Sequence, residues 1–299
     1  MKIQSCTGSP DTARWKNLLC LLIFTDAVNK SNMEVEELAL LTSEIPEDAD
    51  CIVIMSPTAD FSQEEADKVI SYLENGGKAL IFSSYSETDL PNFDSILENY
   101  GVQRKSGMVV ESDSDYYYPQ MPYVLLPEIQ SNDITEEVQD SYIIAPMAQA
   151  IVPLDSYRDS ITIESLLTTT EEAYIEADPE NSTWTKSEDS ETGAFDVGVS
   201  ITETVDDKET QIVYFSSLNM MAEQFDTAVS GANSELVMGA LNDMCQVEET
   251  VSVPTKSLEY TSLIFTAGAM NFWGIVTIAV IPAAFLIVGF GIWMKRRKQ

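Results

Sequence analysis

The sequence predicts an α/β fold in which a parallel sheet carries an inserted β-rich portion and is followed by one C-terminal transmembrane helix. Three observations predict it. A strand–helix–strand pattern occupies residues 46–82, short β-branched segments fill the stretch from about 108 to 205, and an uncharged apolar run covers 272–294.

The first pattern is the most regular. Residues 51–55 (CIVIM) are a continuous apolar run bounded by turn residues, as a strand buried on both faces reads. Ser56, Pro57 and Thr58 end it. Ser62 stands three residues before Glu65, a capping box, and Ala66, Val69, Ile70 and Leu73 supply an apolar stripe at helical spacing. Asn75-Gly76-Gly77 stops the helix through a left-handed residue, and 78–82 (KALIF) is the next strand. So short a strand–helix–strand unit is βαβ, with parallel strands and a right-handed crossover.

Residues 91–101 (PNFDSILENYG) read as a second helix and 108–111 as a further strand, whereas 112–127, polar and tyrosine-rich, reads as a loop or edge excursion. Strands are expected at 141–154 and 161–167, a long acidic loop at 177–192, and a half-buried strand at 195–201, where apolar residues alternate. The strand 210–215, the break at Ser216-Ser217, a short helix at 220–225 and a helix at 234–245 complete the α/β domain.

In the apolar run 272–294, 23 residues at 1.5 Å each reach about 34 Å, enough to cross a bilayer core of about 30 Å. Phe272 and Trp273 open the run and Trp293 lies near its end, where aromatic side chains favour the interface. Pro282, at mid-span, is expected to kink the helix. Lys295, Arg296, Arg297 and Lys298 follow directly, so the C-terminus is expected in the cytoplasm and the main domain outside it, on a single-pass cell-membrane protein. Residues 17–25 are too short to span and read as an amphipathic helix or buried strand more readily than as a signal segment. The expected organisation is a divergent or truncated N-terminal segment (1–33), an exterior α/β domain (34–247) with the β-rich insertion at about 108–205, a juxtamembrane stalk (248–271), the transmembrane helix (272–294) and a basic tail (295–299).

Composition excludes much chemistry. The chain has 299 residues, 49 acidic and 16 basic side chains, no histidine and a formal charge of −33. Such a body repels phosphate backbones, so no nucleic-acid partner is expected. Without histidine, the Ser-His-Asp and Cys-His nucleophile systems and the commonest ligand of catalytic zinc are unavailable. Gly76-Gly77 ends a helix instead of opening one, which argues against phosphate binding. No cofactor is expected.

Ser56 and Ser83 follow strand ends, where open α/β sheets place ligands. No G-x-S-x-G elbow surrounds either, so capping and turn formation are the expected roles, with a binding surface as the functional alternative. Asp113 and Asp115 resemble oxygen ligands for calcium, but a loop beginning at Asp113 places Tyr118 and Val124 where an EF-hand needs glycine and glutamate. Tyr116, Tyr117 and Tyr118, with Tyr123, form a possible glycan- or peptide-binding surface. Cys6, Cys20, Cys51 and Cys245 have no metal-ligand spacing; Cys51 and Cys245 read as packed thiols, and an even count permits disulfides without requiring them.

Residues 45–82 (IPEDADCIVIMSPTADFSQEEADKVISYLENGGKALIF), then PNFDSILENYGV, TGAFDVGVSI, TQIVYFSSLNMMAEQ and NSELVMGALNDM resemble the GldG-like auxiliary subunits of ABC-type transport systems, over roughly 45–299. The resemblance implies a flavodoxin-like, glutamine-amidotransferase-like exterior domain without a catalytic Cys-His pair. It further implies partnership with an ABC-2-type permease and its cytoplasmic ATPase. The resulting expectation is a non-catalytic, membrane-anchored auxiliary subunit of an ABC-type exporter; the alternative is a stand-alone surface protein that binds glycan, peptide or divalent cation.

Overall fold

A computed structural model describes residues 2–6, 20, 24, 25, 27–29, 33–179, 183–245 and 266–297. Four strands open the fold: β1 (Lys2–Cys6), β2 (Glu34–Leu38), β3 (Cys51–Met55) and β4 (Lys78–Phe82). Between β3 and β4 runs α1 (Gln63–Glu74). Ser62 caps it, with the Ser62 hydroxyl and the Glu65 carboxylate each accepting from the other's backbone N–H. Gly76 follows the helix at φ +86°, the left-handed stop that the sequence predicts. Then come α2 (Pro91–Asn99) and a set of short strands: β5 (Val102–Arg104), β6 (Met108–Val110), β7 (Tyr117–Tyr118), β8 (Met121–Leu125), β9 (Glu128–Ile129), β10 (Ala145–Pro146), β11 (Ile151–Pro153), β12 (Ile161–Thr168) and β13 (Tyr174–Glu176). The long pair β14 (Asp196–Val205) and β15 (Lys208–Phe215) precedes α3 (Glu223–Ala228) and α4 (Ala232–Cys245). The C-terminal helix begins as α5 (Ala267–Ile275) and continues through a π-turn (Val276–Val280) into α6 (Ile281–Arg297).

The main sheet is mixed, not parallel throughout. Its path is β2-β1-β3-β4-β15-β14-β11-β5, with β12 also on β14 and β9 on β12. The first five strands in that order pair in parallel, while β14 runs antiparallel to β15 and to β12. Residues 108–205 are therefore not set apart as an insertion: β9, β11, β12 and β14 belong to the main sheet. Only β10-β8-β7 and β13-β6 form separate small sheets. At the other end of the chain, β1 lies between β2 and β3, so part of the segment read as divergent supplies an interior strand.

Successive side chains of the parallel strands enter two cores, one on each face. Cys51, Val53 and Met55 with Leu80, Phe82, Val213 and Phe215 face α4. Ile52, Ile54, Ala79, Ile81, Ile212 and Tyr214 face α1 and α2. Cys20, Phe24 and Val28 are helical and buried at i, i+4 and i+8 on the α4 side, which fits the amphipathic-helix reading of that stretch.

Three local expectations need correction. The strand expected over 141–154 is two short strands separated by a turn at Met147, whose φ is +54°. Residues 197–201 are buried on both faces instead of half-exposed, because Val199 and Ile201 enter the core on the α1 and α2 side while the Phe215 and Leu167 side chains cover Gly198 on the other. The helix expected at 220–225 is a 3₁₀ turn (Leu218–Met221) followed by α3.

The outer end of β14 is fixed by an ion pair. Arg158 donates through Nε and Nη2 to the two carboxylate oxygens of the buried Glu203, at 2.7 and 2.8 Å, and Ser160 Oγ donates to the same group at 2.6 Å. The guanidinium also covers the Tyr100 ring, 5.3 Å from its centroid. The Arg158 bonds hold the Glu203 carboxyl below the usual carboxylate range, against the opposing effect of burial.

A carboxyl that ionises more readily when folded stabilises the fold above its unfolded pKa of about 4.3 and loses that contribution as pH falls toward its folded pKa. Arg158→Ala is expected to cost about 2 kcal/mol at pH 7, since it leaves a buried carboxylate without its main partner. It should also flatten the loss of stability below about pH 4.3. Urea denaturation of both proteins from pH 7 to pH 3 checks this.

Candidate functional site

Two regions hold the residues singled out in the sequence. The first is the C-terminal edge of the parallel strands. Ser56, after β3, takes a left-handed conformation at φ +44°, is half-buried, and donates its backbone N–H to Phe82 O at 2.8 Å. Ser83, after β4, is buried, and its hydroxyl lies 2.7 Å from the Tyr214 hydroxyl. Burial pushes the Tyr214 phenol up to about 12. The serines after β15 are also committed to the main chain: Ser216 Oγ donates to Gln149 O and Ser217 Oγ to Pro146 O, both at 2.6 Å. The small sheet β10-β8-β7 joins this edge through Met147, which accepts from Tyr85 N and donates to Tyr123 O. Ser83, Ser216 and Ser217 are thus held inside the fold as hydrogen-bonded residues that follow strand ends.

The second region is the tyrosine hairpin. Its base is held by the buried Glu111. One carboxylate oxygen accepts from Ser112 N, Asp113 N and Thr170 Oγ1 at 2.8–3.0 Å, and the other from Thr170 N at 3.2 Å. Asp113 Oδ1 then accepts from Asp115 N at 3.0 Å, an Asx turn that occupies the oxygen read as a calcium ligand. No group of three or more acidic or cysteine side chains among the described residues is placed to hold a metal ion. The stretch 112–127, read as a loop or edge excursion, contains the hairpin β7–β8, with Gln120 turning at φ +65°.

The hairpin distributes its tyrosines unequally. Tyr118 and Tyr123 pack against the core on the α4 side, and Tyr123 lies against Trp184 with centroids 4.7 Å apart. Tyr117 is half-buried on β7. Tyr116 lines a cleft of about 490 Å³ with Asp115, Glu128, Gln139, Tyr142 and Thr266. A hydrogen bond with Glu128, and the charge of that carboxylate, hold the Tyr116 phenol above its ordinary pKa. Tyr142, Glu128 and Gln139 were not legible as site residues, because they reach the cleft from segments that no local pattern joins to Tyr116.

Thr266 brings the C-terminal helix to this cleft. It caps α5 by accepting from Ala269 N at 3.2 Å and donates to Asp115 Oδ1 at 3.3 Å, while Gly268 N donates to Ser114 O at 2.7 Å. A β-carbon at residue 268 would meet the Asp115 carboxylate and the Ser114 hydroxyl, so a larger residue there must displace those side chains. The run Ala267–Arg297 is long and apolar enough to cross a membrane and has no buried face in its apolar window. Phe272, Trp273 and Trp293 are exposed near its ends, and Arg297 covers the Trp293 ring at 5.2 Å. Lys295, Arg296 and Arg297 form its last turn; Lys298 lies outside the described residues, as do residues 248–265 of the expected stalk. Pro282 sits just after the π-turn: Ile281 N donates to Val276 O, five residues back, and Thr277 Oγ1 donates to Trp273 O at 2.8 Å. The turn before Pro282 is widened from α to π geometry.

The α/β architecture is similar to that of the mmIFT52 N-terminal domain, with a TM-score of 0.57 and 14% identity over 83% of this chain and 99% of that one. It is also similar to a putative ThuA-like protein from Bacteroides uniformis, with a TM-score of 0.51 and 12% identity over 81% and 90% of the two chains. At these identities the likeness concerns the fold alone. No curated protein matches the sequence. The family model described as "ABC-type uncharacterized transport system" matches residues 21–241, and the chain belongs to that family, whose name indicates an auxiliary component of an ABC-type transport system.

Gly268→Val is expected to lift the first turn of α5 off the hairpin base, because its side chain would occupy the position of the Asp115 carboxylate. Hydrogen-exchange mass spectrometry should show faster exchange in residues 112–118 and 266–270, with the melting temperature of the α/β domain unchanged within about 2 °C, since the substitution touches none of its core.

Proposed function

We propose that this protein is a non-catalytic, GldG-like auxiliary subunit of an ABC-type exporter, anchored by a single C-terminal span with its α/β domain outside the cytoplasm. The observation that carries the reading is the seating of α5 on the acidic, tyrosine-lined hairpin base. It places the cleft formed by Asp115, Tyr116, Glu128 and Tyr142 beside the point where the helix begins. A permease in the same membrane meets that cleft and that helix together. The basic turn Lys295, Arg296 and Arg297 supports a cytoplasmic C-terminus, because basic flanks remain on the cytoplasmic side. The parallel strand order β2-β1-β3-β4-β15 corresponds to the doubly wound 2-1-3-4-5 order and supports a flavodoxin-like description of that half of the sheet.

In this role the domain acts by contact. It borrows ATP hydrolysis from a cytoplasmic ATPase bound to an ABC-2-type permease. The exposed Tyr142 ring and the Tyr116–Glu128 pair offer rigid area and a negative charge to a basic or amide-rich partner surface.

A photo-crosslinking residue at position 142, introduced into the full chain in its native membranes, tests the assignment. Crosslinks to a multispanning permease, with an ATPase recovered in the same detergent complex, are the expected result. Crosslinks only to wall polymer, or none with the chain purifying alone, would overturn it.

A further inference from the structure

Cys51 and Cys245 stand at opposite ends of the domain's sequence and meet at the N-terminal edge of the sheet. Cys51 is the first residue of β3 and fully buried; Cys245 is the last residue of α4, half-buried, and packs on the same core. The register that sets Ile52 beside Ala79 puts Cys51 next to Lys78. Lys78 Nζ in turn donates to the main-chain carbonyl of Met244, a cation at the C-terminal end of a helix. That bond fixes the end of α4 over the start of β3, and there the two thiols come within hydrogen-bonding reach of each other. Both are unbonded thiols in this structure.

We propose that Cys51 and Cys245 are a redox pair that closes a disulfide across the end of α4. Cys51 opens β3 and Cys245 ends α4, so the bond would join two element ends that pack on one core. The oxidant is a disulfide compound, such as an exported thiol–disulfide oxidase or, in solution, oxidised glutathione. The Cys245 sulfur, the more accessible of the two, attacks as thiolate after losing its proton to solvent, and forms a mixed disulfide while expelling one reagent thiolate. The Cys51 sulfur, deprotonated as it is engaged, then displaces the second reagent thiolate. The protein loses two electrons and two protons, and the reagent disulfide becomes two thiols. Burial and the Cys245 contact hold the Cys51 thiol well above its ordinary pKa, which assigns Cys51 the resolving role. The bond ties the last turn of the domain, from which the chain leads to the membrane helix, directly to the central sheet.

Closure in the cell rests on the extracytoplasmic placement proposed above; closure in solution does not. The test is therefore made in two arms. The full chain, reduced in detergent, is incubated with oxidised glutathione and mapped by non-reducing peptide mass spectrometry. A Cys51–Cys245 disulfide, reversible by dithiothreitol, is expected, with a melting temperature raised by several degrees and no such rise in Cys245→Ser. Continued alkylation of both thiols, or pairing of either with Cys20 instead, would overturn the proposal. In the second arm, thiols are trapped in intact cells before lysis. A trapped disulfide supports both the pair and the placement, whereas reduced thiols in a chain that oxidises correctly in solution count against the placement alone.

Discussion

Strand β15 is the constraint on which the rest of the fold depends. It is parallel to β4 on one side and antiparallel to β14 on the other, so it joins the wound half of the sheet to the meandering half. Residues near the end of the domain thereby occupy the middle of the sheet, with Val213 and Phe215 facing one core and Ile212 and Tyr214 the other. The pair β14–β15 closes through Asp206 and Asp207, both at positive φ, a type I′ turn whose twist suits a two-residue hairpin. Without that hairpin β4 would be an exposed apolar edge, and neither core would close.

The same arrangement determines which end of the molecule is open to partners. The turn after β15 carries Ser216 and Ser217, which hold the main chain of Gln149 and Pro146, and so the small sheet lies across the ends of the parallel strands. Another buried polar residue strengthens that closure: Asn233 of α4 accepts from Ile144 N and donates to the carbonyls of Ile144 and Met220. The main chain of Gln149, Pro146 and Met147 is thus bonded to the end of the sheet at which open α/β folds commonly hold ligands. The concavity at the hairpin base, with acidic and phenolic groups on its walls, lies instead where the C-terminal helix starts.

Local sequence features were legible wherever short-range physics decides the outcome. The Ser62 capping box, the stop at Gly76, the apolar stripe of α1 and the Lys78–Phe82 strand all depend on contacts within a few residues, and all stand where the sequence puts them. Pairings between distant segments were not legible. Alternation in 195–201 points to one solvated face, yet β12 and β15 flank β14 and both its faces are covered, a tertiary outcome that overrides the pattern. The double aspartate at 206–207 is a signal that could have revealed the hairpin, since both residues tolerate the left-handed region. Of the tyrosines, the sequence could identify the cluster but not its division: Tyr116 lines the cleft, whereas Tyr118 and Tyr123 serve the core. Glu128, Gln139 and Tyr142 entered the site only through the tertiary fold.

The π-turn at Val276–Val280 has a geometric consequence for any helix that lies alongside. Inserting one residue into an α-helical ladder rotates everything beyond it by about 100°, the angle each residue sweeps. The face that runs along Gly268 and Phe272 is therefore not the face that continues through Leu286 and Phe290. A neighbouring straight helix meets two short seams offset in azimuth, and it can follow one of them closely only by leaving the other.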